Sequence, residues 1–300
     1  MVKEVEPRAE GLRKLSVGSV FIYTWVSFLV IICLFPFLHV FATSFSSNRA
    51  IMSNQVSIIP VEFTANSYQV VFGDQSMIRS LFFTMFITVI YTVLAIMMTV
   101  FIAYPMTKKD LKGRNFFLAL YLFTMYFSGG MIPDYLLIKN LGIMNSMWAL
   151  IFPAVVSTYN MIIMKSFFQN IPESLLESAR LDGCSEIGLL FKIVIPLSKA
   201  SLATISLFYA VAKWNAFQDA LFYITNTNLY PLQLKLYNIV FNNMSVQISA
   251  DEGMTEMFSN ISTESLKAAC IMFATIPIIM VYPWLQKYFI HGVMIGAVKE

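Results

Sequence analysis

The amino-acid sequence predicts an all-α, polytopic membrane protein with six transmembrane helices and a loop of two amphipathic helices between the fourth and the fifth. Three observations carry this prediction. Hydrophobic residues make up 58% of the chain and charged residues only 12%, about half of the roughly 25% that a soluble domain carries. Six apolar runs are long enough to cross a hydrocarbon layer about 30 Å thick. Lysines and arginines concentrate in alternate connections, as the positive-inside rule expects.

The apolar runs set the predicted spans at residues 17–45, 77–106, 116–137, 144–168, 193–217 and 266–285. The third run is interrupted by Gly129, Gly130 and Pro133, and irregular backbone is tolerated at membrane depth only where protein or a water-filled cavity surrounds it. Six spans place both termini on one side. We therefore predict a tail at residues 1–16, a transmembrane domain at residues 17–286 that includes a loop at residues 169–196, and a tail at residues 287–300.

The positive charges assign a side to each connection. Of the 20 lysines and arginines, 14 fall in the segments assigned to the inside: the two tails, the connections that follow the second and fourth spans, and the adjoining ends of the fourth and fifth spans. The positive-inside rule therefore predicts that both termini and the 169–196 loop are cytoplasmic. Lys213 falls inside the fifth predicted span, where a long side chain can extend its ammonium group to the membrane edge.

Motifs for catalysis and nucleotide binding are absent from the sequence. No G-x-x-x-x-G-K-[ST] phosphate-binding loop occurs. The two histidines, His39 and His291, fall near opposite membrane faces, so a Ser-His-Asp or Cys-His set is hard to assemble. Three cysteines, two of them in apolar runs, predict neither a disulfide nor a metal site. We expect no enzymatic activity, no cofactor bound by this chain and no nucleic-acid partner.

The 169–196 loop has the most informative pattern. Its apolar residues recur at three- and four-residue intervals, and acidic residues occupy much of the remaining surface, a pattern typical of amphipathic helices. Gly183 divides the loop into two halves, because glycine ends a helix at little steric cost. The alternative is an interfacial helix that rests in the lipid headgroups. An acidic face would be repelled by an anionic leaflet, so the pattern favours docking to a protein.

At these residues the sequence resembles the EAA loop of the membrane-spanning permease subunits of binding-protein-dependent ABC importers, E-A-A-x-x-D-G-A with a later I-x-L-P. The matching positions are Glu177, Ala179, Asp182, Gly183, Phe191, Ile193 and Pro196. Ser178, Cys184 and Ile195 depart from the pattern but keep its small or apolar character. The resemblance implies that this loop docks in a cleft on a cytoplasmic ATPase.

The same resemblance implies a role for each residue of the motif. Glu177 and Asp182 would form polar contacts with the ATPase or hold the shape of the loop. Gly183 would provide the turn, and Ala179 would allow close approach. Leu181 and Phe191 would be buried, and the segment would end at Pro196.

Two further stretches extend the resemblance over nearly the whole chain. Residues 286–299, Q-K-Y-F-I-H-G-V-M-I-G-A-V-K, look like the tail of the maltose-type, carbohydrate-importing subfamily, which reaches the interface between the ATPases. The F-S-G-G-M-I-P stretch at residues 127–133 resembles the branch for complex polysaccharide fragments. The implied partners are a homologous sister permease, a dimer of ABC ATPases that bind ATP and Mg²⁺, an extracellular substrate-binding protein and the lipid of a bacterial cell membrane.

A sugar path needs aromatic rings for stacking and polar groups for hydroxyls, and the fourth and fifth spans offer six candidates: Tyr159, Asn160, Tyr209, Trp214, Asn215 and Gln218. The alternative is that the aromatic residues are membrane-interface anchors and that the polar ones bond neighbouring helices. We expect residues 218–265 to meet the binding protein or the sister permease.

The main alternative function is an ion-coupled secondary transporter, which needs ionisable residues well inside its spans. Lys213 is the one basic candidate, and Asp219 is predicted to lie too far out.

Overall fold

A computed structural model describes residues 17–241 and 261–297 of the protein, and these residues form helices with no strand among them. The helices are α1 (Val17–Ser44), α2 (Asn48–Met52), α3 (Asn66–Gly73), α4 (Gln75–Ala103), α5 (Arg114–Tyr126), α6 (Met131–Asn140), α7 (Met147–Ile151), α8 (Thr158–Gln169), α9 (Glu173–Leu181), α10 (Glu186–Leu197), α11 (Lys199–Asn215), α12 (Gln218–Tyr223), α13 (Leu232–Phe241) and α14 (Thr263–Ala297). The all-α prediction is confirmed. The predicted tail at residues 1–16, and residues 242–260 of the stretch expected to meet a partner, lie outside the described residues.

Three helices of the described part are long and apolar enough to cross a membrane by themselves: Gly18–Ser44, Gln75–Thr107 and Thr263–Val281. Three further candidates are pairs of shorter helices, each bent by more than 40° at a short break. Counted with one crossing for each pair, the described residues give the six crossings that the sequence predicts.

The predicted third span at residues 116–137 is not one helix. It consists of α5 and α6, which meet at an angle of 113°. Gly130 lies at the break with a φ of +90° and a ψ of 169°, a conformation that only glycine adopts at low cost. At 13 residues, α5 is roughly 20 Å long and is too short to cross the hydrocarbon layer alone.

The predicted fourth span at residues 144–168 is also divided. The helical segments Met147–Ala154 and Thr158–Gln169 meet at 53°. Pro153 lies in a 3₁₀ turn before the break, and a proline there cannot donate the backbone hydrogen bond that a continuing helix requires. Ser157 then starts α8, because its hydroxyl accepts a hydrogen bond from the Asn160 backbone amide at 3.3 Å.

The fifth span begins later than the sequence predicts. Residues 193–197 belong to α10, and the chain turns by 82° before α11 starts at Lys199. A π-helical turn at Leu190–Val194 precedes Pro196, whose missing amide disturbs regular helical bonding. Ser198 lies at the turn, and its backbone amide bonds the carbonyls of Val194 and Ile195. The spanning part is therefore α11, and α10 belongs to the loop.

The core of the bundle lies around α4, which packs against α8, α11 and α13, while α11 also packs against α14. The largest fully buried side chains of this core include Tyr209, Ile87, Met161 and Met164. In contrast, α5 has no buried residue, and most apolar side chains of α1 are exposed. An apolar surface of this kind suits contact with lipid or with another membrane helix.

Candidate functional site

The loop after α8 folds as two helices joined at Gly183, as the sequence predicts. Gly183 has a φ of +81°, its amide donates to the Arg180 carbonyl at 3.0 Å, and the Cys184 amide donates to the Ala179 carbonyl at 3.0 Å. These two bonds form a Schellman motif, which ends α9 and satisfies its last carbonyls. A Cβ at Gly183 would meet nothing within 4 Å. The need for glycine is therefore conformational and not steric.

The surface of the two loop helices combines free carboxylates with exposed apolar side chains. Glu177 and Asp182 are exposed, and neither carboxylate bonds any group within the described residues. Leu181 is 89% exposed and Phe191 is 53% exposed, so the prediction that these two are buried is wrong for the chain by itself. Ser178 and Pro196 are exposed too, and Ala179 is half-buried. Exposed apolar side chains on the same two helices as unpaired acids suit a protein-binding face.

Glu186, the first residue of α10, links the loop to the end of α4. Its Oε2 accepts a hydrogen bond from the Tyr104 hydroxyl at 2.7 Å and lies 2.8 Å from the Lys108 ammonium nitrogen. Its Oε1 accepts from Nε of Arg180, in α9, at 3.0 Å. In the sequence, Glu186 is only one of several acidic residues of the 169–196 loop. Its main partners are some eighty residues away in the chain, and no spacing rule could connect them.

These contacts control the ionisation of Glu186. Partial burial alone would raise the pKa of the carboxyl group. The hydrogen bonds from Lys108, Tyr104 and Arg180, together with the charge of Lys108, outweigh that effect and lower the pKa from 4.5 to about 2. The carboxylate is therefore ionised throughout the neutral range, as its three donors require.

Three of the six residues predicted to line a sugar path are buried by the chain itself. Tyr209 is 2% exposed, and its hydroxyl bonds the hydroxyl of Thr99 at 2.7 Å and the amide of Ser157 at 3.3 Å. Trp214 is 8% exposed and donates from Nε1 to the Ala274 carbonyl at 3.4 Å. Asn160 is 6% exposed. Tyr209 and Trp214 thus bond neighbouring parts of the bundle. The place of all three residues in a sugar path stays a prediction.

The other three candidates for the sugar path are accessible. Tyr159 is 57% exposed at the start of α8, and Gln218 is exposed at the start of α12. Asn215 is exposed at the end of α11 and donates to the Val211 carbonyl at 2.9 Å. These residues stay candidates for contact with a sugar.

Lys213 does not extend to the membrane edge as the sequence predicts. Its side chain is 6% exposed, its ammonium lies 3.9 Å from a carboxylate oxygen of Asp219, and it donates to the Leu150 carbonyl. The Tyr91 ring lies 5.1 Å from the same nitrogen and adds a cation–π contact. The sequence placed Asp219 too far out, but the chain turns after α11 and brings α12 back beside Lys213.

Comparison with known proteins places this geometry in a family. Residues 80–295 match the family described as "Binding-protein-dependent transport system inner membrane component". The polygalacturonan/rhamnogalacturonan transport system permease protein YtcP of Bacillus subtilis is 42% identical over 280 residues, which cover 93% of this chain and 96% of that protein. Protein LplC of the same organism is 43% identical over 268 residues, 89% of this chain and 90% of that protein.

A solved structure is similar along nearly the whole chain. It is a crystal structure of a bacterial ABC transporter involved in the import of the acidic polysaccharide alginate, with a TM-score of 0.84, 30% identity, and coverage of 91% of this chain and 96% of that one. These similarities decide against the ion-coupled secondary transporter. The chain belongs to the binding-protein-dependent transport system inner membrane components, the membrane-spanning permease subunits of ABC transporters.

Proposed function

We propose that this chain is the permease subunit of an importer for acidic oligosaccharides, and that α9 and α10 dock on a cytoplasmic ATPase. The observation that carries the docking part is the surface of the loop: exposed Leu181 and Phe191 beside the free carboxylates of Glu177 and Asp182. An apolar surface that the chain leaves uncovered outside the spanning helices suits a protein partner. Carboxylates at its edge suit basic or amide donors on that partner.

In this proposal both termini and the loop face the cytoplasm, as the distribution of lysine and arginine supports. The chain pairs with a homologous sister permease, and an extracellular binding protein delivers the substrate. ATP and Mg²⁺ bind to the ATPase subunits and not to this chain. Closure of the ATPase dimer moves the loop, and the spans shift between inward-open and outward-open arrangements because the ATPase contacts favour one of them.

The substrate class rests on two of the similar proteins. One is a permease for polygalacturonan and rhamnogalacturonan, and the other belongs to an importer of the acidic polysaccharide alginate. Fragments of acidic polysaccharides carry a carboxylate beside several hydroxyl groups. Tyr159, Asn215 and Gln218 offer an aromatic ring and two amides on accessible surface, and rings and amides are suited to sugar faces and hydroxyls.

Proteoliposomes that contain the complete importer test the substrate class. We expect ATP-dependent uptake of galacturonate oligosaccharides and at least about tenfold slower uptake of neutral maltooligosaccharides, which corresponds to a difference of about 1.4 kcal/mol. Radiolabelled oligosaccharides of matched length provide the measurement, and vesicles without ATP are the control. Equal uptake of the neutral and the acidic sugars would contradict the proposed class.

Co-purification of the tagged chain with its ATPase and sister permease tests the docking. In Gly183→Pro the proline ring requires a φ near −65°, whereas the loop needs +81°. We therefore expect ATPase recovery to fall about tenfold or more, a loss equivalent to about 1.4 kcal/mol of binding. Glu177→Lys, which reverses a charge without changing the fold, should also lower recovery.

The chain offers a matched control for the glycine variant. Gly142 has a φ of +68°, its amide donates to the Lys139 carbonyl at 3.0 Å, and a Cβ there meets nothing within 4 Å. It lies after α6, away from the loop, so Gly142→Pro carries the same local cost and should keep the ATPase. Full ATPase recovery with both Gly183→Pro and Glu177→Lys would refute docking by this loop.

A further inference from the structure

The Glu186 carboxylate joins three parts of the chain that are separate in sequence. Arg180 approaches it from the last turn of α9, and Tyr104 and Lys108 approach it from the end of α4 and the turn that follows. Lys108 also lies over the Tyr104 ring at 4.5 Å. Through one side chain, both loop helices are therefore fastened to the same point of the bundle.

That point belongs to the buried core. Tyr104 is 6% exposed, and its ring lies edge-on to Phe168 of α8 with 6.4 Å between centroids. Phe168 is itself 3% exposed, and α4 packs along both α8 and α11. A displacement that reaches Tyr104 is therefore passed to helices that line the centre of the bundle, because packed interiors transmit strain.

The contacts of Glu186 with Arg180, Lys108 and Tyr104 contribute little to the free energy of unfolding. The side chains of Glu186, Arg180 and Lys108 are 55%, 38% and 25% exposed, and exposed ion pairs contribute little to the free energy of unfolding. Three charge-assisted or hydroxyl donors on one carboxylate do, however, fix its direction. The consequence of the network is therefore geometric.

The covalent connection between the loop and α11 is bent, so it does not by itself transmit movement of the loop to the bundle. The loop joins α11 through an 82° turn at Ser198, and a π-helical segment precedes that turn. A bend between two helices can absorb movement as a hinge instead of transmitting it. A second attachment, away from that turn, lets the loop push on the bundle directly.

We propose that Glu186 is a positioning residue that fastens α9 and α10 to the end of α4, so that movement of the loop is transmitted to the second spanning helix. This inference rests on the proposed docking of the loop on the ATPase. It assigns two roles of the loop to different residues. The exposed surface binds the ATPase, and the Glu186 contacts transmit the movement.

Glu186→Gln keeps the size of the side chain but removes its charge, and therefore removes both ion pairs. In the reconstituted complex we expect unchanged ATPase recovery and unchanged basal ATP hydrolysis. Sugar uptake per ATP hydrolysed should fall about tenfold, within the usual range of coupling between sites. Asp110→Asn is the matched control, because Asp110 is an exposed carboxylate in the segment that follows Lys108 and bonds no described residue. It should leave uptake unchanged.

A rescue experiment distinguishes transmission from local structure. Cysteines replace Lys108 and Glu186 in a chain whose Cys33, Cys184 and Cys270 are changed to alanine, and a short, reducible thiol cross-linker then joins them. Uptake per ATP should be low without the cross-linker, return with it and fall again on reduction.

Unchanged uptake in Glu186→Gln, or no recovery on cross-linking, would overturn the proposal. Loss of the ATPase from Glu186→Gln would overturn it too, since the residue would then serve docking. Failure of the docking proposal itself is seen separately, in the recovery of Gly183→Pro.

Discussion

Lys213→Met is expected to destabilise the folded chain by about 2–4 kcal/mol, because loss of one partner of a buried pair leaves the other groups uncompensated. Methionine fills nearly the same volume but leaves the Leu150 carbonyl without its donor and the Asp219 carboxylate without its cation. The cation–π contact with Tyr91 is lost as well. The midpoint of thermal unfolding of the purified protein in detergent measures the effect.

Lys199→Met is the control for the Lys213 variant. Lys199 begins the same helix but is exposed, and its replacement should change the free energy of unfolding by less than about 0.5 kcal/mol. Asp219→Asn should also destabilise the chain, and the double variant should cost less than the sum of the two single ones, because the residues share one interaction. Additive effects would mean that the pair is not formed, and a Lys213→Met variant as stable as the parent would refute the structural role.

Features that depend on neighbouring residues are predictable from this sequence. The apolar runs at α1, α4 and α14 and the break at Gly183 follow from composition, helical spacing and the conformational freedom of glycine. The EAA pattern from Glu177 to Pro196 is equally local, and its residue types and spacing are enough to indicate the family. All of these signals lie within windows of about twenty residues.

Features that depend on packing could not be predicted in this way. Hydropathy shows that residues 116–137 are apolar but says nothing of the 113° angle between α5 and α6. Glu186 meets Tyr104 across 82 positions, and Lys213 meets the Leu150 carbonyl across 63. Tyrosine and tryptophan suit a sugar surface and a buried hydrogen-bonded core equally well. Only the packing assigns Tyr209 and Trp214 to the core and leaves Tyr159 accessible.

Replacement of Tyr209 is expected to give the second large loss of stability. The contributions of its buried ring and of its buried hydroxyl can be measured separately with two variants. Tyr209→Ala should cost about 3–5 kcal/mol through loss of a large buried side chain. Tyr209→Phe should cost about 1–2 kcal/mol, because it loses the two bonds to Thr99 and Ser157, each with a net value of about 1 kcal/mol or less. It keeps the edge-on contact with Tyr91 at 5.9 Å. Thermal unfolding in detergent provides the comparison.

The matched control for Tyr209 is Tyr159, which is 57% exposed. Tyr159→Ala should leave the free energy of unfolding within about 0.5 kcal/mol of the parent. If Tyr159 contacts the sugar, the same variant should raise the substrate concentration needed for half-maximal uptake. Tyr209→Phe should leave that concentration unchanged, because its hydroxyl bonds other helices and not the sugar. If Tyr209→Phe instead keeps its thermal stability and takes up sugar more slowly at low sugar concentration, Tyr209 lies in the sugar path. That result would contradict its role in the core.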